Sequence, residues 1–341
     1  MSASLQKASG ERMRTILRFF SANRYSAVLS GAVVTSVVQS SGLTTVMVIG
    51  FINAGLLSLT QAIGIIFGAN IGTTITAQLV AFKIEIIIMP CIVLGLLLSF
   101  ARNDRVVQWS GTVMGLGFLF LGMQIMSDEL RQLADFPAFS AAFGVFRCTP
   151  VDGFIPLGSM FGAILIGLIS TMIFQSSSAC VGIVIALSGS GLMDLYTAVG
   201  ILLGTNVGAT ITAQLAALAA NRIARQAALA HTLFNVIGVL ITVVSFAIPW
   251  GGEPAFFHFI KWMSADGTLQ RQIANAHTVF NVVTTLILLP FVNLFAKLCE
   301  KIIPLEKDKI KYKRLEPRLL DTPSIALAQT ASALRKMLKH A

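Results

Sequence analysis

The sequence predicts an all-α integral membrane protein made of two inverted-topology repeats, each carrying a re-entrant helical hairpin. Three observations point there: long stretches with no charge, a duplicated block at a fixed offset, and an odd number of apolar spans between its two copies. Asp, Glu, Lys and Arg are absent from 25–82, 153–193, 195–221, 226–252 and 272–296, with shorter gaps over 106–127 and 86–101. Only 12% of the 341 residues are charged, about half the ~25% of a soluble domain. A transmembrane helix needs ~20 apolar residues. So 106–127, 195–221, 226–252 and 272–296 each fit one crossing, and the two longest gaps hold more than one segment. Continuous apolar runs exclude an outer-membrane barrel, whose strands alternate.

The repeat is read directly. At an offset of 136, "GANIGTTITAQL" (68–79) falls on "GTNVGATITAQL" (204–215), and 39–79 against 175–215 gives 20 identities in 41 positions. Each copy holds two polar islands, Gln-Ser-Ser and then Gly-X-Asn-X-Gly-X-Thr. Between the copies lie three apolar spans, near 57–82, 84–101 and 106–127. An odd count turns the second copy over, whether each Gln-Ser-Ser segment is a re-entrant hairpin or a helical pair.

Charge placement agrees. With the N-terminus inside, 20 of the 25 Lys and Arg fall on the inner side, leaving Lys83, Arg131, Arg147, Lys261 and Arg271 outside. Positive residues favour the cytoplasmic side. Both termini are therefore expected in the cytoplasm of a multi-pass bacterial inner-membrane protein. The chain divides into a cytoplasmic amphipathic segment (1–24), membrane repeat 1 (25–105) and membrane repeat 2 with its linking helix and external loop (106–250). A final external loop and transmembrane helix (251–298) and a basic cytoplasmic tail (299–341) follow. The net charge of +10 sits at the flanks, so it marks a lipid bilayer as partner rather than nucleic acid. Cys91, Cys148, Cys180 and Cys299 have no metal-site spacing and read as small buried hydrophobes. No nucleophile elbow, HExxH or phosphate loop with Lys occurs, so an enzyme is not expected and no cofactor is called for.

The polar islands suggest their own chemistry. Apolar residues precede each Gln and small residues follow it, so two half-helices joined at Gln-Ser-Ser are expected. Ser is a favoured N-cap, and a helix N-terminus offers free N–H groups and about half a positive charge. This makes an anion site without Lys or Arg at the serines that open the second half-helix of each copy. In the second islands glycines permit unwinding. Backbone carbonyls with Asn70, Thr73, Thr74, Asn206 and Thr210, and with Thr44, Gln78 and Gln214, offer oxygen ligands suited to Na+. A third pattern, "AHTLFNV" (230–236) and "AHTVFNV" (276–282), sets His231 and Asn235, and His277 and Asn281, four apart on one helix face. These four either relay protons and gate, or hydrogen-bond the broken helices in place; the structural role is the preferred reading.

The paired Gln-Ser-Ser islands, the "GANIGTT" and "GTNVGAT" islands and "HTLFN" with "HTVFN" together resemble the bacterial sodium–phosphate cotransporters, relatives of the animal type II sodium-dependent phosphate cotransporters. The resemblance covers roughly 5–320. It implies Na+-coupled symport of inorganic phosphate by alternating access, with the two hairpins facing each other around phosphate and Na+ through Gln39, Ser40 and Ser41 in the first and Gln175, Ser176, Ser177 and Ser178 in the second. The first island reads "QSSG", one hydroxyl fewer than the family often has. The resemblance also suggests that a helix of the first repeat is missing before Met1, that a homodimer covers the exposed face, and that the tail begins a PhoU-like helical domain. The alternatives are carriage of another anion, an exporter or H+-coupled carrier on the same scaffold, or a membrane phosphate sensor.

Overall fold

The computed structural model describes residues 23–82, 85–136, 147–151, 153–265, 267–304, 327, 330 and 331. The expected N-terminal amphipathic segment and nearly all of the basic tail lie outside these residues. Two units emerge, Met1–Ile303 and Pro304–Ala341, and the account below concerns the first.

Its helices are α1 (Arg24–Val38), α2 (Ser41–Asn53), α3 (Leu59–Val80), α4 (Ile88–Ser99), α5 (Asp104–Ala134), α6 (Leu157–Phe174), α7 (Ser177–Gly189), α8 (Leu195–Gly208), α9 (Ile211–Ala217), α10 (Arg222–Ser245), α11 (Ala255–Ser264), α12 (Leu269–Leu288) and α13 (Val292–Ile302). A two-residue hairpin ladder, β1 (Pro249–Trp250) with β2 (Glu253–Pro254), precedes α11. Among the described residues, six helical stretches are long and apolar enough to cross a membrane. The chain is an all-α, multi-pass membrane protein. Apolar side chains on the outer faces, such as Leu157 and Ile173, are mostly exposed. That is the state expected where lipid, not water, is the neighbour.

The starts of the helices follow from capping. Asn23, Ser40, Ser58, Ser176, Asp194, Asn221 and Thr268 each accept a hydrogen bond from a first-turn N–H. Helix α12 gives way to a 3-10 turn, Leu289–Phe291, at Pro290, whose ring cannot donate to the helix ladder.

The duplicated offset recurs in three dimensions. α1 packs along α3, and α6 packs along α8. A Cβ on Gly68 would fall inside the backbone of Val28, and one on Gly204 inside the backbone of Ile164. Both pairs are 136 residues apart, so the repeat extends back at least to residue 28. Only glycine permits this approach.

One premise of the inversion argument changes. The span expected at 84–101 contains a 3-10 turn (Glu85–Ile87) and then α4 of only 12 residues. At 1.5 Å per residue α4 is about 18 Å long, short of the ~30 Å hydrocarbon core. The crossing count that predicts inversion therefore depends on this short element.

The interior has two aromatic centres. Phe67 packs against Phe234 with the rings tilted (4.6 Å between ring centroids) and meets Phe295 edge-on (5.5 Å). Phe257 packs against Phe246 (5.0 Å) and Tyr196 (4.6 Å). Tyr196 also donates to Glu253 Oε2 (2.7 Å), and Lys261 pairs with the same carboxylate, which ties α11 and the β1–β2 hairpin to the start of α8.

Candidate anion and cation site

The two Gln-Ser-Ser islands fold alike. Gln39 has φ 58°, ψ 30° and Gln175 has φ 51°, ψ 27°, both left-handed. The next residues are extended, Ser40 at φ −149°, ψ 104° and Ser176 at φ −145°, ψ 100°. Each Gln ends one helix, with its N–H bonded to Thr35 O or Thr171 O, and each Ser caps the next. Ser40 Oγ accepts from Leu43 N (3.2 Å) and Ser176 Oγ from Ala179 N (3.3 Å). The expected pairs of half-helices joined at Gln-Ser-Ser are present. A left-handed non-glycine residue costs ~1–3 kcal/mol and clusters at functional sites. Of the three described non-glycine residues with positive φ, two are these glutamines, at equivalent positions; the third is Ala265.

Each bend aims a helix N-terminus at its surroundings. The N–H groups of Ser41 and Gly42, and of Ser177 and Ser178, precede the capped donor and lie in the turn where no intrahelical carbonyl is available. Ser41 is buried, Gln39 and Ser176–Ser178 are half-buried, and Gln175 is exposed. Ser178 Oγ lies 3.3 Å from Ser176 Oγ. The second arm of each hairpin packs on the island helix of the other copy, α2 on α9 and α7 on α3. At the first bend a Cβ on Gly42 would sit 3.3 Å from the Thr212 methyl. Thr44 accepts from Thr35 Oγ1 (2.9 Å) and donates to Ser40 O (3.2 Å), tying α1 to α2. At the same offset the second copy has Thr171 and Cys180.

The second islands keep right-handed helical backbone in both copies, including Ala209 (φ −60°, ψ −23°) and Thr210 (φ −70°, ψ −18°), rather than the expected unwinding. α3 runs unbroken through 68–74; its glycines seat α1 and Asn70 Nδ2 returns to Ile66 O (2.9 Å), and the other copy makes the same contacts, with Gly204 and Gly208 against α6 and Asn206 Nδ2 returning to Leu202 O (3.0 Å). In the other copy α8 stops at Gly208 and α9 restarts at Ile211, with Thr210 N–H reaching only Val207 O (3.1 Å). Thr73, Thr74 and Thr210 give their hydroxyl protons to carbonyls of their own helix turn, at Ala69, Ile71 and Val207. Their oxygens keep lone pairs, the polarity a cation needs.

The His and Asn residues join the two copies. His231 Nε2 lies 3.3 Å from Asn70 Oδ1, which also accepts from Asn235 Nδ2 (3.4 Å). His277 Nε2 lies 3.0 Å from Asn206 Oδ1, and Asn281 Nδ2 donates to His277 O (2.9 Å). The glutamines cross over. Gln78 Nε2, on α3, donates to Asn275 Oδ1 (3.1 Å) and Thr278 Oγ1 (2.8 Å) on α12. Gln214 Nε2, on α9, donates to Thr232 Oγ1 (2.8 Å) and Ala228 O (3.1 Å) on α10. So α3 and the α8–α9 pair are each hydrogen-bonded to both α10 and α12. Sequence reading missed Thr232, Asn275 and Thr278. The signal was available in the 46-residue offset that aligns "RQAALAHTLFN" with "RQIANAHTVFN".

Among the described residues, His231 Nδ1, Asn235 Oδ1, His277 Nδ1 and Asn281 Oδ1 have no partner, and neither do the hydroxyls of Thr45 and Thr76. Because Asn70 Oδ1 and Asn206 Oδ1 are acceptors, both His rings carry their proton on Nε2, which leaves Nδ1 as a bare acceptor. No group of three His, Cys, Asp or Glu among the described residues could hold a metal. The larger described cavity, about 320 Å³, runs beside the second bend at Phe174 and Cys180 rather than between the bends.

A sequence model of the Na+/Pi-cotransporter family matches residues 1–128 and 157–250. The chain belongs to the Na+/Pi-cotransporter family. This is a transporter family, not an enzyme family. The chain is 33% identical to the uncharacterized protein YqeW of Bacillus subtilis, over 84% of this chain and 88% of that one. It is 28% identical to the "Putative inorganic phosphate export protein YjbB" of Escherichia coli K12, over 96% of this chain and 58% of that one. It thus spans under two thirds of the length of that relative. A stretch of 92 residues is 46% identical to human sodium-dependent phosphate transport protein 2C, covering 25% of this chain and 15% of that one. No solved structure matches the chain.

Proposed function

We propose that this Na+/Pi-cotransporter family member carries inorganic phosphate across a bacterial inner membrane, coupled to Na+. The observation that carries the reading is the matched pair of strained bends, each a left-handed Gln followed by an extended capping Ser. Phosphate would be held by N–H groups and hydroxyls of 39–41 and 175–178, without a fixed cation to trap it. Na+ would be held by oxygens of Thr44, Thr73, Thr74 and Thr210 and of the Asn and Gln residues of the second islands, offsetting the anion's charge. The orphan acceptors on α10 and α12 add lone pairs in the same interior, where unpaired polar groups are costly. His231, Asn235, His277 and Asn281 hold the island helices in place. Inverted repeats and cytoplasmic termini, read from span parity and from the positive flanks, would give alternating access.

The test is uptake of radiolabelled phosphate by proteoliposomes with and without an inward Na+ gradient. Gradient-dependent uptake is expected; equal uptake in both conditions removes Na+ coupling. A second reading, export, is favoured by the similarity to YjbB over nearly the whole chain. Sided proteoliposomes distinguish the two by which Na+ and phosphate gradients drive net flux.

A further inference from the structure

The 320 Å³ cavity is a different place from the proposed ion site, and its chemistry is different. It lies in the angle of three helices, against Ile166 and Phe174 of α6, Ile183 and Leu187 of α7, and Ile201 of α8. Its volume falls in the ~300–1,000 Å³ range of ligand pockets. From Ile166 to Phe174 the wall follows α6 for about 12 Å, at 1.5 Å per residue. The walls are apolar, so the cavity cannot desolvate phosphate. Phe174 is 58% exposed and Ile183 36%, on helices whose outer faces meet lipid, so the slot opens sideways toward the acyl region.

One end is charged. Arg147 and Asp194 stand there. Asp194 is engaged: it caps α8 through Thr197 N (2.7 Å) and accepts from Thr149 Oγ1 (2.7 Å). Thr197 is engaged too, accepting from Cys148 N (3.0 Å). The same bonds fix the backbone on the C-terminal side of Arg147, so the guanidinium is carried to the mouth by an anchored segment. Arg147 itself is exposed and has no hydrogen bond or ion pair among the described residues. A guanidinium matches a phosphate bidentately, and basic pockets beside apolar spans suit lipid head groups.

We infer that this cavity is a binding site for an anionic phospholipid, with an acyl chain in the α6–α7–α8 slot and the head-group phosphate on Arg147. The bound chain packs against Phe174 and Cys180, which flank the second Gln-Ser-Ser bend. The lipid therefore braces the hairpin that carries Gln175–Ser178. The site is independent of the identity of the transported ion.

The test uses the full chain in delipidated detergent, titrated with phosphatidylglycerol or phosphatidylcholine and followed by native mass spectrometry and thermal melting. Phosphatidylglycerol should be retained at least about tenfold better and should raise the melting temperature. Arg147→Ala should bring its retention down to the phosphatidylcholine level; Arg147 is exposed and makes no hydrogen bond or ion pair with a described residue, so folding is expected to survive. Ser170→Trp, which fills the slot, should abolish retention of both lipids. Undiminished phosphatidylglycerol binding by Arg147→Ala, equal retention of the two lipids, or an occupant with the mass of a second chain would overturn the proposal. Should Ser170→Trp not fold, the Arg147→Ala titration decides alone.

Discussion

His231 Nε2 reaches Asn70 Oδ1 across 161 positions of sequence, and His277 Nε2 reaches Asn206 Oδ1 in the same way. Each pair joins an island helix to a helix that follows the second copy of the duplicated block, 175–215. All four residues are buried. Asn70 and Asn206 each return their amide N–H to their own helix, at Ile66 O and Leu202 O. The side-chain oxygen is left to accept from the His, so both pairs are fixed in polarity as well as position.

Replacing one partner strands the other. Asn206→Ala leaves the His277 Nε2–H without its acceptor, and a buried unsatisfied group costs ~1–3 kcal/mol. A lowered melting temperature in detergent is expected for Asn206→Ala and His277→Ala alone, with a double mutant clearly less destabilised than the sum. Additive single effects would show that the two side chains do not interact.

The bends make opposite demands on Gly and Val. Gly adopts the left-handed conformation freely, whereas a β-branched residue there is a genuine outlier. Gln175→Gly should fold with unchanged or higher melting temperature, and Gln175→Val should melt lower, by ~1–2 kcal/mol or more. Phosphate flux by the well-folded Gln175→Gly protein then reports the side-chain amide's share in binding. Loss of flux is expected.

Ser40 and Ser176 cap α2 and α7. Ala at either position should cost ~0.5–2 kcal/mol of stability. Thr retains the capping oxygen and should recover most of it, as read by thermal melting of Ser40→Ala against Ser40→Thr.

Gly68 and Gly204 lie where a Cβ would enter a neighbouring backbone. Gly68→Val should abolish recovery of monodisperse protein by size-exclusion chromatography. Gly50→Ala, at a glycine with open space around its Cβ position, should not.

Burial raises the Cys148 thiol to about 11, a shift that the Thr197 hydrogen bond only partly opposes. The folded state thus holds this proton more tightly than the unfolded chain does, near 9. Its stabilising contribution is complete below about pH 9 and is lost as pH rises through about 11. Folded protein should resist iodoacetamide at Cys148 at pH 7.5 and react there once unfolded. Rapid labelling of the folded protein at neutral pH would contradict the burial.

Much of this was legible in the sequence because its causes are local. Charge-free runs fix the helical membrane class, since only a helix satisfies its own backbone in lipid. The 136-residue offset fixes the duplication, and Ser after an apolar run fixes where α2 and α7 begin. The left-handed glutamines and the role of the second islands were not legible. Glycine serves equally for unwinding and for close packing, and which occurs depends on what approaches it. Helix α1 approaches Gly68 and α6 approaches Gly204 and Gly208, so the glycines serve packing in both copies. The crossed attachment of Gln78 to α12 and Gln214 to α10 was likewise decided only by the packing of helices distant in sequence. Hydrophobic periodicity and spacing say which face of a helix is buried; they do not say which of two near-identical helices will bury it.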